Sequence, residues 1–330
     1  GMQTFVADLY WLSAIQYIGS NALGAEYKEY LATMLELVTD LSPHFTYPYQ
    51  IGLLLLPDFN ERYETINKIT QRKHVNEALK LGKKGIEKNC DMDKLNKIRD
   101  FYDLNKLYSD KSLSEGCTDA IIPYYLAYVS YWNNNDPVEA SYWYRVAGTH
   151  KEAPKGAQLM SAIMQGKTGN REKAIIMFLS LGEAFDPNPN GICRQLTTEL
   201  KNILIPAFEK GAKLTPDFLK EVEKLRAEAK KELKENQDEI ERTDISAYCS
   251  SYLDKSTREL NLQYIQDGDL KYFEKYQKHA TDAEELFDKK FIEFVPKDYQ
   301  RPSSDNYEII YYYNEEIKGW DFKMGKYSLQ

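Results

Sequence analysis

Along most of this chain apolar residues recur at spacings of three and four, the pattern of helices that bury one face. The first expected helix covers residues 4–18, with Phe5, Leu9, Leu12 and Ile15 in register, and ends at Gly19 and Asn21. The second covers 27–41, with Tyr30, Leu31, Met34, Leu37, Val38 and Leu41 on its apolar side, and is closed by Pro43. A third covers 47–56 and stops at Pro57, since proline lacks the amide hydrogen that a helix interior needs. Residues 61–90 hold one or two helices, and 93–109 one more with Leu95, Ile98, Tyr102 and Leu107 inward.

The middle of the chain is the most regular. Residues 121–132, 138–148, 155–165 and 171–181 read as four short helices joined by tight polar connections at 133–137 and 166–170. Loops this short make neighbouring helices antiparallel partners. Longer helices follow at 192–212 and from Thr215, a good N-cap, and Pro216 to about residue 242. In the latter, Leu219, Val222, Leu225, Ala229 and Leu233 form a narrow stripe among dense charges. That stripe reads as a long hairpin helix with a solvated face, and a dimerising coiled coil is the sharper alternative. Residues 244–291 read as two helices broken near 267–269, and 296–305 as a polar loop. Residues 307–313 and 317–322 are rich in aromatic and β-branched side chains and predict a terminal β-hairpin. Alone it would be marginal, so it must pack on the helices. The predicted class is all-α, with a short hairpin at the end.

Internal periodicity sharpens this picture. Ala140 in DPVEASYWYRVA and Ala174 in NREKAIIMFLSL lie 34 residues apart. Tyr144 and Phe178 follow their alanines by four, Ala147 and Leu181 follow by seven, and Tyr128 and Ala162 precede by twelve. Small alanines let paired helices approach, the aromatics fill the gap to the next pair, and Pro154 marks a repeat end. On these residues the stretch resembles the tetratricopeptide repeat family. Residues 121–154 and 155–188 look like whole repeats, with degenerate ones before 120, and 58–75 and 91–120 look like insertions. The segments DLYWLSAIQYIG and ELVTDLSPHFTYPYQIGLLLL, through Trp11, Gln16, Tyr17, Leu41, Pro43, Phe45, Tyr49 and Gly52, also resemble a group of bacterial proteins of unassigned role. In that group a tryptophan-bearing helix follows a membrane anchor; Ser42 replaces its usual acid. The expected organisation is a repeat domain over 1–190 and a helical extension over 191–330.

The resemblance implies a protein-interaction scaffold whose first helices line a concave groove. In this chain that groove is expected to present Ile122, Tyr125, Val129, Trp132 and Asn133, then Leu159, Ile163 and Lys167. Tyr125 and Val129 stand where the family's carboxylate clamp for chaperone tails needs lysine and asparagine, so that partner class is not expected. The groove suits an extended apolar segment or a helix of a partner protein, unless the chain's own insertions cover it. Two other readings stand beside this one: a small-ligand binder or enzyme using the concavity, and a self-assembling component drawing on the long helix that includes Phe218.

Composition and charge narrow the chemistry. A net charge of −8 argues against general nucleic-acid affinity. No run of about 18 apolar residues spans a membrane. Gly1 before Met2 looks like a cloning remnant, and the abrupt amphipathic start fits either an upstream anchor removed or a short cytosolic N-terminus. The cell envelope and the cytoplasm are therefore both open. Cys90, Cys117, Cys193 and Cys249 are widely spaced with no C-x-x-C, which reads as free structural thiols, with disulfides as the alternative. His44, His74, His150 and His279 share no metal or nucleophile spacing. The carboxylates Glu284 and Glu285 read as solvated, and the lysines at 80–88 as a helix face. The GKT at 166–168 lacks the glycine a phosphate loop needs at 161, where Ser161 stands. No catalytic residue, metal or cofactor is expected.

Overall fold

In the computed structural model the residues described are 2–21, 27–58, 67–184, 190–235, 249–296 and 307–326. Among them are fourteen helices and one two-stranded sheet. The chain divides into two compact units, residues 1–101 with 107–164, and 102–106 with 165–330.

The first unit begins with α1 (Met2–Asn21), α2 (Tyr27–Leu41), α3 (Tyr47–Leu55) and α4 (Lys68–Asn89). The periodicity located α2 but misjudged its rotation. Tyr27, Leu31, Leu35 and Val38 face inward, while Tyr30 and Leu37 face water. Helices α2 and α4 run in the same direction: Glu29, Glu36 and Asp40 pair with Lys73, Lys80 and Lys84, at a constant offset of 44 residues. Such exposed pairs contribute little energy each and mainly fix register. Close approach of α3 and α4 depends on glycine. A Cβ at Gly85 would lie 2.9 Å from the Tyr49 ring, and one at Gly52 would collide with the Leu81 side chain.

Next come α5 (Met92–Arg99) and α6 (Leu104–Ser109). One helix was expected over 93–109; two form. Two distant side chains hold the α5 carbonyls: Arg145 Nη1 donates to the carbonyl of Arg99 at the helix end at 2.7 Å, and the Tyr142 hydroxyl to that of Leu95 at 3.0 Å. Both donors sit on α8 (Pro137–Gly148), so the insertion is pinned to the hairpin of α7 (Ile121–Trp132) and α8. A disulfide between Cys90 and Cys117 closes the same segment.

The second unit continues from the end of α9 (Ala157–Lys167) through α10 (Arg171–Ala184), α11 (Ile192–Glu209) and α12 (Pro216–Glu235) to α13 (Cys249–Tyr276) and α14 (Ala283–Asp288). Its core holds Leu179, Leu200, Leu219, Val222, Leu253 and Ile265. Leu219 and Val222 of the α12 stripe are thus consumed inside the chain, and Phe218 and Leu225 pack against the same core. The side chains of Ala229 and Leu233, and the helix expected beyond residue 235, lie outside the described residues, as does the loop after Pro296.

The break expected at 267–269 is absent; α13 runs through it. The three residues there are engaged by tertiary contacts, which override their weak helix propensity. Asp267 pairs with Lys213, Gly268 lies against Ile292, and Asp269 accepts the Ala280 amide at 2.9 Å. The terminal hairpin forms as β1 (Tyr307–Asn314) and β2 (Gly319–Lys326), antiparallel. It docks as its marginal stability requires: Tyr311 and Trp320 are buried, and the Tyr313 amide donates to Thr281 at 3.0 Å.

The four cysteines are not free thiols. Besides Cys90–Cys117, Cys193 of α11 is joined to Cys249 at the start of α13. Their wide sequence spacing hid the pairing, because each bridge joins segments 27 and 56 residues apart.

Candidate protein-interaction surface

Helix α7 carries no charged residue. One face holds Ile122, Leu126, Ala127 and Val129, all buried; the other repeats aromatics every fourth residue at Tyr124, Tyr128 and Trp132. Trp132 is 60% exposed and Tyr128 46%. Their rings lie 6.3 Å apart, and Tyr131 meets Trp132 edge-on at 4.9 Å. Further up the helix, Tyr124 packs edge-on against buried Tyr144 of α8 at 5.3 Å, which anchors the aromatic row to the core. Burial raises the Tyr144 hydroxyl's pKa, with Tyr124 and Tyr128 adding to it, so that hydroxyl carries no charge near neutral pH.

The turn after α7 holds Trp132 in place. The amides of Asn133 and Asn134 both return to the Val129 carbonyl, and Asn135 occupies positive φ. Asp136 then accepts the Glu139 amide at 3.0 Å and starts α8, where Val138 is 60% exposed. Helix α3 lies beside α7: Gln50 donates to Asp119 just before α7, and the Pro57 carbonyl accepts from Asn133 at its end, 3.4 Å away. On α3, Tyr47 and Leu54 are exposed.

The expected groove is therefore only partly formed by the residues assigned to it. Trp132 is the most exposed of them; Tyr125 and Asn133 are half-buried, and Asn133 is engaged with Pro57. Val129 and Ile122 are corrections: both are core residues at 0% and 1% exposure and present nothing to a partner. Val129 lies slightly more than one turn beyond Tyr125, about 40° further round the helix, on the packed side, while Tyr128 is exposed. Leu159 and Ile163 are half-buried. Lys167 belongs to the second unit, where it pairs with Asp321 at 2.7 Å.

The repeat register meets a mixed outcome. Ala140 and Ala174, Tyr144 and Phe178, and Ala147 and Leu181 are alike in being buried at 2% or less. Tyr128 and Ala162 are not alike, because Ala162 is fully buried. The i, i+4, i+8 aromatic row on an uncharged helix was the signal for Tyr128, and the repeat alignment masked it.

Several of the remaining candidates make contacts within their own unit. In the GKT segment Gly166 lies against Glu259, and the Thr168 hydroxyl donates to the Gln165 carbonyl at 2.7 Å. His74 is buried beside Glu77, and His279 stacks on Tyr313 while contacting Asp269 at 2.7 Å. Among the described residues no helix is long and apolar enough to cross a membrane, and no His, Cys, Asp and Glu group has the arrangement of a metal site. No protein-family model, curated protein or solved structure matches the chain.

Proposed function

We propose that this chain is a non-catalytic protein-interaction scaffold of the tetratricopeptide type, holding an apolar extended segment or amphipathic helix of a partner protein against the aromatic face of α7. The observation that carries the reading is Trp132 exposed beside Tyr128 on a helix without a single charge. Large aromatics held rigidly at a surface are the side chains that dominate protein interfaces, since they bury much area at small entropic cost.

Several features support the repeat type. Helices pack as the neighbouring pairs α1–α2, α3–α4 and α7–α8, with α3 against α7 and α2 against α4. Stacked helical hairpins share that pattern of contacts. The 34-residue register with matched burial at three positions adds to it. Two disulfides favour a protein that works in oxidising surroundings, so the cell envelope is the better reading of the two locations left open by the sequence.

The test is quantitative capture from an extract of the native cell with immobilised wild-type, Trp132→Ala and Trp132→Phe chains. A specific partner is expected to be retained by wild type, lost about tenfold or more with alanine and partly regained with phenylalanine. Equal retention by all three would remove α7 from the account.

A further inference from the structure

Helix α1 is apolar on two faces. Ala7 and Ala14 are buried in the first unit, and Trp11 meets Phe45 at 5.5 Å on that side. The opposite side carries Met2, Phe5, Leu9, Leu12 and Ile15, exposed at 84, 63, 49, 55 and 46%. A helix on the surface of a folded unit ordinarily turns polar residues outward. Here Asp8 is the only charged residue between Met2 and Asn21.

We propose that this outer face of α1 is a self-association surface, covered by α1 of a second copy of the chain in a two-fold antiparallel pair. Three considerations select a second copy. First, area: at roughly 200 Å² for a fully exposed large side chain, the five exposures amount to about 600 Å² per copy. Two copies then bury about 1,200 Å², at the lower edge of specific interfaces, so a weak reversible dimer is the matching assembly. Second, charge: α1 has no lysine, arginine or histidine to attract an anionic lipid surface or an acidic partner, and its lone Asp8 sets little self-repulsion against pairing. Third, shape: α1 is about 30 Å long, and its apolar row runs from the first turn to the fourth. An antiparallel partner helix can therefore match it along its length and satisfy the isologous geometry of a homodimer. This surface is separate from Tyr128 and Trp132 and stands or falls without them.

The experiment is sedimentation velocity on the full, oxidised chain from about 2 to about 200 µM, a span that brackets a weak dimer. Wild type, Leu9→Glu/Leu12→Glu and Trp132→Ala are compared, with flotation on neutral phosphatidylcholine vesicles run in parallel. Leu9 and Leu12 are half-exposed, so the double variant should retain the wild-type circular dichroism and melting temperature. The expected result is a wild-type mass rising from one chain towards two, a double variant that stays at one chain throughout, and Trp132→Ala behaving as wild type. A wild type that stays monomeric overturns the proposal. Equal association of wild type and the double variant places any interface elsewhere and overturns it too. So does vesicle flotation that depends on Leu9 and Leu12 without dimerisation, which would make the occupant lipid.

Discussion

Arg171 donates to Glu259 at 2.8 Å with both side chains almost wholly buried, 5% and 8% exposed. The pair links the first turn of α10 to the middle of α13, and Arg171 also reaches the Trp320 carbonyl in β2. One guanidinium thereby joins two helices and the sheet of the second unit. Removing one partner leaves a buried charge with no counterion, which is far more costly than never having had the pair.

Arg171→Ala is accordingly expected to lower the unfolding free energy by about 3–5 kcal/mol, read from urea denaturation. A loss below about 1 kcal/mol, the range of exposed pairs, would mean that this contact is solvated in solution.

The bridge between Cys193 and Cys249 spans 56 residues and that between Cys90 and Cys117 spans 27. Loop-closure entropy makes each worth about 4 kcal/mol. Cys193→Ala/Cys249→Ala should therefore unfold at a clearly lower urea concentration than wild type. Denatured but unreduced wild type should show no titratable thiol; four thiols in that assay would contradict the pairing.

Gly85→Ala places a methyl group against the Tyr49 ring, and Tyr49 is itself buried between α3 and α4. Overpacking of this kind costs about 1–3 kcal/mol. Gly19→Ala, with nothing near the added carbon, is the matched control and should be neutral or stabilising by up to about 1 kcal/mol. Comparable melting temperatures for the two variants would show that α3 and α4 are not closely packed.

Asp103 tests the second unit through pH. Burial alone would raise its carboxyl, but the Lys201 ammonium 3.2 Å away, the Lys106 amide and the Lys106 charge outweigh burial and hold it below the ordinary aspartate value of 3.8. A carboxyl depressed on folding is protonated more readily in the unfolded chain. Its contribution to stability is therefore fully present above the ordinary value and is lost as pH falls through the lower folded one. Stability should decline more steeply below about pH 4 in wild type than in Asp103→Asn. Parallel declines would show that Asp103 has no such coupling.

How much of this was legible beforehand differs between the units. In the first, local signals sufficed for α2, α3 and α7: proline stops after the first two, the tight polar connection after the third and a clear apolar period placed their ends within a residue or so. Helix rotation was harder, since α2 offers Tyr30 and Leu37 as plausible inward residues and only packing chooses Leu35 instead. In the second unit the outcome depended on partners far away in sequence. Nothing near Asp269 announces that it will accept the Ala280 amide, and nothing near Cys193 announces Cys249. The candidate surface was half legible. Trp132 was visible as an exposed aromatic, but the groove assignment included Val129, which packing buries, and left out Tyr128, which is exposed.

The central claim, that the aromatic face of α7 receives a partner protein, is tested most directly by placing a photo-crosslinking phenylalanine analogue at position 132 in the native cell. Ile203, similarly exposed on the second unit, serves as the control position. The account predicts one discrete heavier adduct from position 132, containing the same partner in repeated experiments, and none from 203. No adduct at 132, or the same adducts from both positions, would contradict it.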